Sequence, residues 1–382
     1  MQGAPARIHW LVPLVVGPPA VAAALLAWLR PDDASPALVA GLALLLAGGS
    51  LLGGVVGARR PEWVVAGCAC CVLLWPELGL RVAGRRFDEA GVIFGIWAPI
   101  AARDHADFFW TLPPGQPGVN SEGFPLPEPV TPKPPDTWRM VFLGDSCTQQ
   151  GYPRRVAERL TSDAGPATAP RFEALNFGVA GYSSLQGRLV ADAWLPRLAP
   201  DLTVVYFGWN DRWRAWGMSD AERARRRNRP LLRAVLASRL LQMFVRLPMT
   251  ELPSPLTEPR VSLDEYRANL SAIGDVASRA GSQVLLLTAP SAHERRGVPE
   301  ELVQKKLALS AENALATLRA YNAVVEPLAR DHGWHFLDLA ARANQVPDPG
   351  AIFLADGIHF TPAGLAWVSD EIARAIEALR AR

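Results

Sequence analysis

The sequence predicts an α/β protein in which helices cover both faces of a parallel sheet. From Trp138 onward, short apolar runs rich in β-branched and aromatic residues alternate with longer helical patterns. The runs are largely apolar throughout, as expected of strands that are buried on both faces. The first eighty residues differ from the rest because they carry few charges. We therefore expect a three-layer α/β/α sandwich that follows an N-terminal transmembrane helical anchor.

The strands and helices can be predicted in chain order. Strands are predicted at residues 140–143, 172–176, 202–207, 284–288 and 334–337. Helices are predicted at residues 152–160, 185–198, 263–280, 307–331 and 362–381. Because ligands of such sheets bind beyond the carboxyl ends of the strands, residues that directly follow those ends are the first candidates for a functional site.

Three apolar stretches near the N-terminus are each about long enough for a membrane helix. They cover residues 10–29, 37–57 and 63–80, and a bilayer core of ~30 Å takes roughly 20 helical residues. Pro76 and Glu77 interrupt the third stretch, so we expect an anchor of two or three spans over residues 1–86. The alternatives are a buried helical hairpin in a soluble protein, or a cleaved signal peptide for the first stretch.

The arginines that flank these stretches leave the orientation of the anchor open. With three spans they are divided between the two sides of the membrane. With two spans nearly all of them fall on the side of the main domain, which would make that domain cytoplasmic.

The rest of the chain divides into a linker and a main domain. Residues 87–137 form a Pro-rich linker, and such chain is extended and semi-rigid, although residues 118–124 look ordered enough to pack on the domain. Residues 138–382 form the main domain, with an insertion at residues 212–261 between the third and fourth strands. The insertion carries a basic run at residues 223–229, which indicates a solvated helix, or a lid or surface that meets lipid head groups or an acidic glycan.

Charge and cysteine usage exclude several classes of function. The net charge is +2, and no zinc-finger or RNA-binding aromatic pattern is present, so nucleic acid is not expected as a partner. Of the four cysteines, Cys147 lies apart from the three in the third apolar stretch. This distribution indicates neither a disulfide framework nor a metal site, and we expect no metal and no organic cofactor.

Four short motifs follow the ends of predicted strands or precede the last helix. They are Gly144-Asp145-Ser146, Asn176-Phe177-Gly178-Val179-Ala180-Gly181, Gly208-Trp209-Asn210-Asp211 and Asp356-Gly357-Ile358-His359. A serine hydroxyl needs an adjacent base to attack an ester. Of the six histidines, His359 alone has a carboxylate three residues earlier, Asp356, which can orient its ring toward Ser146. Taken singly, these motifs can also be ordinary turns or a helix N-cap.

In this order the motifs resemble those of the SGNH (GDSL-type) hydrolases, a family of serine esterases and acyltransferases. The resemblance covers roughly residues 138–382. It implies a flavodoxin-like parallel sheet and a catalytic set of Ser146, Asp356 and His359. It also implies an oxyanion hole formed by the backbone N–H groups of Ser146 and Gly181 and the side-chain amide of Asn210. We interpret Asp145 and Asp211 as structural, and Cys147 as a small buried residue.

The implied activity is hydrolysis of acyl esters through an acyl-serine intermediate. O-acetyl or short acyl groups on envelope carbohydrate or lipid are the expected substrates. The alternatives are an O-acyltransferase that modifies a cell-envelope glycan beside a membrane-bound acyl donor partner, and a catalytically idle glycan- or lipid-binding scaffold. Since many relatives act outside the cytoplasm, we expect a multi-pass membrane protein with an extracytoplasmic catalytic domain.

Overall fold

The computed structural model of the chain describes residues 76–77, 79–81, 103–105, 107–129, 131–164, 170–227, 238–246 and 254–381. The predicted anchor lies almost wholly outside these ranges. Among the residues that are described, no helix is both long enough and apolar enough to cross a membrane. The chain divides into two compact units, Met1–Glu89 with Pro230–Thr250 and Ala90–Arg229 with Glu251–Arg382.

The described elements alternate between strands and helices along most of the chain. In chain order they are β1 (Arg103–His105), β2 (Phe109–Thr111), β3 (Thr137–Gly144), α1 (Ser146–Gln149), α2 (Tyr152–Ala164), β4 (Arg171–Gly178), α3 (Ser184–Leu198), β5 (Leu202–Tyr206), β6 (Arg214–Trp216), α4 (Asp220–Arg227), α5 (Arg239–Arg246), β7 (Pro255–Pro259), α6 (Leu263–Arg279), β8 (Gln283–Leu287), α7 (His293–Arg296), α8 (Glu300–Gln304), α9 (Ala311–His332), β9 (His335–Leu337), α10 (Leu339–Asn344), α11 (Pro349–Ile352) and α12 (Pro362–Arg380).

Five of these strands form the central sheet in the order β4-β3-β5-β8-β9, and every neighbouring pair is parallel. The predicted parallel sheet is confirmed. Counted along the chain, the order is 2-1-3-4-5, which is that of flavodoxin-like sheets. Gly144 at the end of β3 pairs with Gly178 of β4 and Tyr206 of β5. The loops that follow β3, β4 and β5 therefore leave the sheet side by side.

Both faces of this sheet are buried, because successive side chains of a strand point to opposite faces. Met140 and Phe142 belong to a core cluster that also contains apolar residues of α2 and α12. Val141 and Leu143, which point the other way, are no more than 1% exposed. The apolar character of the predicted strands thus follows from burial on two sides.

Local capping fixes where the flanking helices start. Ser262 caps α6 and forms a capping box with Glu265, which satisfies backbone N–H groups that the helix leaves unpaired. Thr361 caps α12, whose first residue is Pro362. Because α12 starts directly after residue 361, its capping turn fixes the loop that carries His359.

Part of the predicted linker packs onto the domain. Phe109, Trp110 and Phe124 are no more than 1% exposed. The Phe124 ring contacts the rings of Phe177 and Trp194, with centroid distances of 4.8 and 6.1 Å. Residues 109–124 therefore belong to the folded unit and do not act as a free spacer.

The insertion contributes the antiparallel strand pair β6–β7 and the helix α4 to the larger unit. Arg223, the first arginine of the basic run, is 1% exposed and pairs with buried Asp220 at 3.4 Å. A fully solvated run is thus wrong for Arg223, although Arg225 and Arg226 are exposed. The buried arginine is unavailable to lipid head groups.

In the smaller unit, one carboxylate caps the insertion's second helix. Glu77, which interrupts the third apolar stretch, accepts hydrogen bonds from the backbone N–H groups of Arg239 and Leu240 at 3.1 and 2.8 Å and from the Ser238 hydroxyl at 2.9 Å. A carboxylate at the N-terminus of α5 favours that helix through its macrodipole.

Candidate active site

The nucleophile candidate lies where β3 passes into α1. Asp145 caps α1, and its Oδ1 accepts a hydrogen bond from the Cys147 N–H at 2.9 Å. Ser146 is the first residue of that helix, so its own N–H has no intrahelical acceptor. The turn thereby presents both the hydroxyl and the N–H of Ser146 at the carboxyl edge of the sheet.

The structure brings Ser146, His359 and Asp356 into one chain of hydrogen bonds. His359 Nε2 lies 2.8 Å from Ser146 Oγ, and His359 Nδ1 lies 2.5 Å from Asp356 Oδ2. The other carboxylate oxygen, Asp356 Oδ1, accepts the N–H groups of Ile358 and His359 at 2.9 and 3.0 Å. With Nδ1–H donating to Asp356, Nε2 is the lone-pair nitrogen and can accept the serine proton.

The electrostatics of the pair favour an ionised carboxylate and an easily protonated ring. Burial raises the pKa of Asp356, but the hydrogen bonds from the His359 ring and from the backbone outweigh it and leave the pKa below its ordinary value. The hydrogen bond to Asp356 raises the pKa of His359 above its ordinary value, against the opposing effect of burial. The imidazolium that forms when His359 takes a proton is thus stabilised.

The predicted oxyanion donors lie on the neighbouring loops. Within the described part of the chain, neither the Ser146 N–H nor the Gly181 N–H has a hydrogen-bond acceptor. The Asn210 amide donates to Tyr182 O at 3.0 Å and lies 3.4 Å from Asp145 Oδ2. One of these N–H groups belongs to the nucleophile itself, and the other lies on the loop that leaves the sheet next to it. Two such groups without acceptors provide what a developing oxyanion requires.

Comparison with known proteins places the chain in a family. The family model described as GDSL-like Lipase/Acylhydrolase matches residues 142–367 of the chain. The chain belongs to this family. It is therefore an ester hydrolase of the GDSL type, which agrees with the resemblance seen in the four motifs.

Several solved structures are similar to this GDSL-type hydrolase at low sequence identity. A lipase/acylhydrolase from Enterococcus faecalis is 17% identical with a TM-score of 0.41, and the alignment covers 63% of this chain and 95% of that one. A GDSL-like lipase from Bacteroides thetaiotaomicron is 19% identical with a TM-score of 0.40, covering 63% and 89%. A mutant of an acetylxylan esterase from Geobacillus stearothermophilus is 17% identical with a TM-score of 0.39, covering 62% and 93%. No curated protein matches the chain.

Two further carboxylates of this GDSL-type hydrolase hold the loops around the site. Burial raises the pKa of Asp145 to about 7 and that of Asp211 to about 6. Asp211 accepts the N–H groups of Ser184 and Gly208 at 2.8 and 3.2 Å. Both carboxylates thus brace turns through backbone N–H groups, as the sequence interpretation expected.

Cys147 and Trp209 are both packed into the core. Cys147 is fully buried, and burial together with the nearby Asp145 raises the pKa of its thiol above the ordinary value. Trp209 is 2% exposed and donates from its indole to the Tyr206 hydroxyl at 3.2 Å. The thiol is therefore unsuited to nucleophilic attack, and the indole does not form a wall of an open pocket.

Sequence reasoning missed two residues that fix the loop of the base. The side-chain amide of Gln150 pairs with the backbone of Phe360, with bonds of 3.0 and 2.9 Å. His293 is 1% exposed, and its Nε2 lies 2.7 Å from the backbone carbonyl of Asp356. A Cβ at Gly357, whose φ is +71°, would lie 2.6 Å from the His293 ring. No local pattern marks His293, because its partner is 63 residues away.

Across the residues that the structure describes, no group of three or more His, Cys, Asp or Glu side chains is arranged to hold a metal ion.

Proposed function

We propose that this GDSL-type hydrolase cleaves acyl esters through an acyl-serine intermediate. In this mechanism Ser146 is the nucleophile, His359 is the general base and Asp356 orients the base. The observation that supports these roles most directly is the pair of contacts at His359, 2.8 Å to Ser146 Oγ and 2.5 Å to Asp356 Oδ2. The ring connects the hydroxyl to a carboxylate in the manner that a serine nucleophile needs.

Acylation begins when Ser146 Oγ attacks the ester carbonyl carbon. His359 Nε2 takes the hydroxyl proton, and the imidazolium is stabilised by Asp356. The carbonyl oxygen becomes an oxyanion that the Ser146 and Gly181 N–H groups stabilise. The Asn210 amide joins them by exchanging its long 3.4 Å contact with Asp145 Oδ2 for the oxyanion. The tetrahedral adduct collapses, the carbon–alkoxide bond breaks, and the proton on His359 passes to the leaving oxygen.

Deacylation repeats these steps with a second acceptor. His359 removes a proton from water, the resulting nucleophile attacks the acyl-serine carbonyl, and the Ser146 oxygen leaves with the proton that His359 returns. Water as acceptor gives an esterase, whereas a sugar hydroxyl gives an O-acyltransferase. Because the same residues serve both outcomes, the acceptor has to be identified by experiment.

We further propose that the substrates are O-acetyl or short acyl groups on envelope carbohydrate or lipid. The three apolar stretches of the N-terminal region support this proposal, since a multi-pass anchor of two or three spans would hold the enzyme at a membrane.

In the proposed arrangement the catalytic domain is extracytoplasmic. The variant Ser162→Cys, at an exposed position, would then be labelled by an impermeant maleimide in intact cells. Labelling of this variant only after permeabilisation would place the domain in the cytoplasm.

The mechanism is tested by ester hydrolysis with the full-length protein in detergent. Release of p-nitrophenol from acetyl, butyryl and octanoyl esters and of acetate from acetylated xylan should depend on Ser146 and His359. Ser146→Ala should abolish turnover and labelling by a fluorophosphonate, and Ser162→Ala on the exposed face of α2 should leave both unchanged. Turnover retained in purified Ser146→Ala would contradict the proposal.

The chain-length profile then separates the substrate classes. Preference for acetyl esters and acetylated xylan supports a carbohydrate deacetylase, and preference for octanoyl esters supports a lipid esterase. Labelling at Ser146 with weak hydrolysis and rapid transfer to an added glycan would support the acyltransferase. A folded protein that is not labelled would support the idle binding scaffold.

A further inference from the structure

The peptide unit that carries the Gly181 N–H is held at its opposite end by a tryptophan. The Trp110 indole N–H donates to the carbonyl of Ala180 at 3.0 Å. The Ala180–Gly181 peptide is planar and trans, so its C=O and its N–H point in opposite directions. An indole that fixes the carbonyl therefore fixes the direction of the Gly181 N–H, which has no acceptor among the described residues.

The indole itself has little freedom to move. Trp110 is 1% exposed. Its backbone carbonyl accepts a hydrogen bond from the Tyr182 hydroxyl at 2.7 Å, and the two rings meet edge to face at 5.8 Å. Trp110 is thus tied to the loop at two points, through its indole to residue 180 and through its carbonyl to residue 182.

The backbone at Gly181 needs hydrogen bonds to hold its conformation. Its φ is +80°, a conformation that glycine adopts readily and leaves readily, because no Cβ restricts the backbone. Arg260 holds the following peptide by donating to Gly181 O at 2.7 Å. Between them, Trp110 and Arg260 fix the peptide planes on both sides of Gly181.

We propose that Trp110 is a positioning residue of the oxyanion hole, which aims the Gly181 N–H at the developing oxyanion by holding the Ala180 carbonyl. The proposal rests on the proposed function, in which that N–H stabilises the transition state. Trp110 lies on β2, before the residues that the family model matches. Residues of the predicted linker therefore form part of the catalytic apparatus of this enzyme.

Trp110→Phe tests this role because it keeps a six-membered aromatic ring at this position and removes the indole N–H. The oxyanion donor remains but loses its orientation, so kcat should fall about tenfold to 100-fold, less than the ~10²–10³-fold lost with a whole donor. KM should change little, because the ground-state ester makes weaker use of this donor. The matched control is Trp194→Phe, another buried tryptophan that packs on Phe124 and Phe177; its kcat should stay near that of the wild type.

Rates are expressed per active site, counted by complete fluorophosphonate labelling, so that partial misfolding does not lower them. The fluorophosphonate adduct is tetrahedral and carries an oxygen toward the same donors, so the second-order rate of labelling should fall together with kcat. A kcat and a labelling rate in Trp110→Phe that both match those of Trp194→Phe would overturn the proposal. Turnover in Ser146→Ala would instead overturn the proposed function, so the two failures are distinguishable.

If Trp110→Phe does not fold, Tyr182→Phe tests the attachment of Trp110 to the Gly181 loop. It removes the hydroxyl that holds the Trp110 carbonyl and leaves the indole in place. The expected result is a smaller fall in kcat, with KM unchanged and with slower labelling by the fluorophosphonate. A kcat and a labelling rate equal to those of the wild type would overturn the part of the proposal in which the Tyr182 hydroxyl holds Trp110 in place.

Discussion

The two sides of the active site are held in different ways. On the acid–base side, Asp356 and His359 are three residues apart in one loop and contact each other directly at 2.5 Å. On the oxyanion side, the loop at Gly181 is held by Trp110 and Arg260, and these bonds join residues 70 and 79 positions apart in the chain. The Asp356–His359 contact is local in sequence, although its loop is also held by His293 and Gln150. The direction of the Gly181 N–H, in contrast, depends on contacts between segments that are distant in the chain.

The largest effects should come from the acid–base side, because its members act as a unit. His359→Ala should lower kcat by about 10⁴-fold or more, and Asp356→Asn by about 10³–10⁴-fold because the ring loses its orientation. The double variant should be little worse than His359→Ala alone, since the carboxylate acts only through the ring. Steady-state hydrolysis of p-nitrophenyl acetate measures all three.

The same assay tests whether the two sides of the active site contribute to catalysis independently. Trp110→Phe should still lower the residual activity of His359→Ala, because oxyanion stabilisation survives the loss of the base. If the two losses in kcat failed to multiply, the two sides would act as one cooperative unit and not independently.

The next largest effects should be losses of stability caused by changes in the buried ion pairs of the insertion. Arg260 and Arg223 both pair with Asp220, which is 0% exposed, and only Arg260 reaches Gly181 O. Arg260→Met and Arg223→Met should each lower the free energy of unfolding by up to about 3–5 kcal/mol, since each leaves a buried charge with one partner fewer. Thermal or urea unfolding measures this loss.

Activity per titrated active site then separates the two arginines. Arg260→Met should lower kcat by about tenfold, because the peptide that follows Gly181 becomes free to rotate. Arg223→Met should leave kcat near that of the wild type. Equal losses of kcat would mean that the insertion affects catalysis only through overall stability.

The sequence predicted one side of the site better than the other for a physical reason. Asp356 and His359 could be paired from their spacing alone, because a short loop brings residues three apart into contact. Trp110 lies in a Pro-rich segment with no periodic pattern, and its partner is 70 residues away. Nothing in the local sequence around Trp110 indicates that contact.

The fold shows the same contrast between features that a local sequence pattern reveals and features that depend on distant contacts. The five central strands were predicted because burial on both faces gives an apolar run, but β3 starts at Thr137, three residues before its predicted start. Arg139 is fully buried in that strand and is compensated by Glu173 on β4 at 2.5 Å and by Leu198 O at 2.9 Å. Hydropathy cannot reveal a buried charge whose partners lie on other elements. The anchor and the side of the membrane remain predictions.

A smaller effect is expected in the pH dependence of the reaction. His359 must be neutral to accept the serine proton, so kcat/KM should rise with pH and level off above its pKa. The hydrogen bond to Asp356 raises that pKa above 6.5, its ordinary value. In Asp356→Asn this largest raising effect is lost while the smaller effect of the Asp145 charge remains, and the midpoint of the residual activity should move to lower pH. A midpoint that stays in place would show that Asp356 does not control the ionisation of the base.

The smallest effect should follow from changing Cys147, which lies between the loop of the base and the turn of the nucleophile. Its Sγ is 3.7 Å from Ile358 O in the loop of the base, and its N–H bonds Asp145 in the loop of the nucleophile. Because the raised pKa keeps the sulfur as a buried thiol, it can serve neither as a nucleophile nor as a base. Cys147→Ala should therefore keep kcat within about threefold, with a loss of stability of roughly 1 kcal/mol from the small cavity. Iodoacetamide should likewise leave the folded enzyme active. Inactivation by iodoacetamide that Cys147→Ala prevents would show that the thiol is reachable, and that the packing between the loop of the base and the turn of the nucleophile opens in solution.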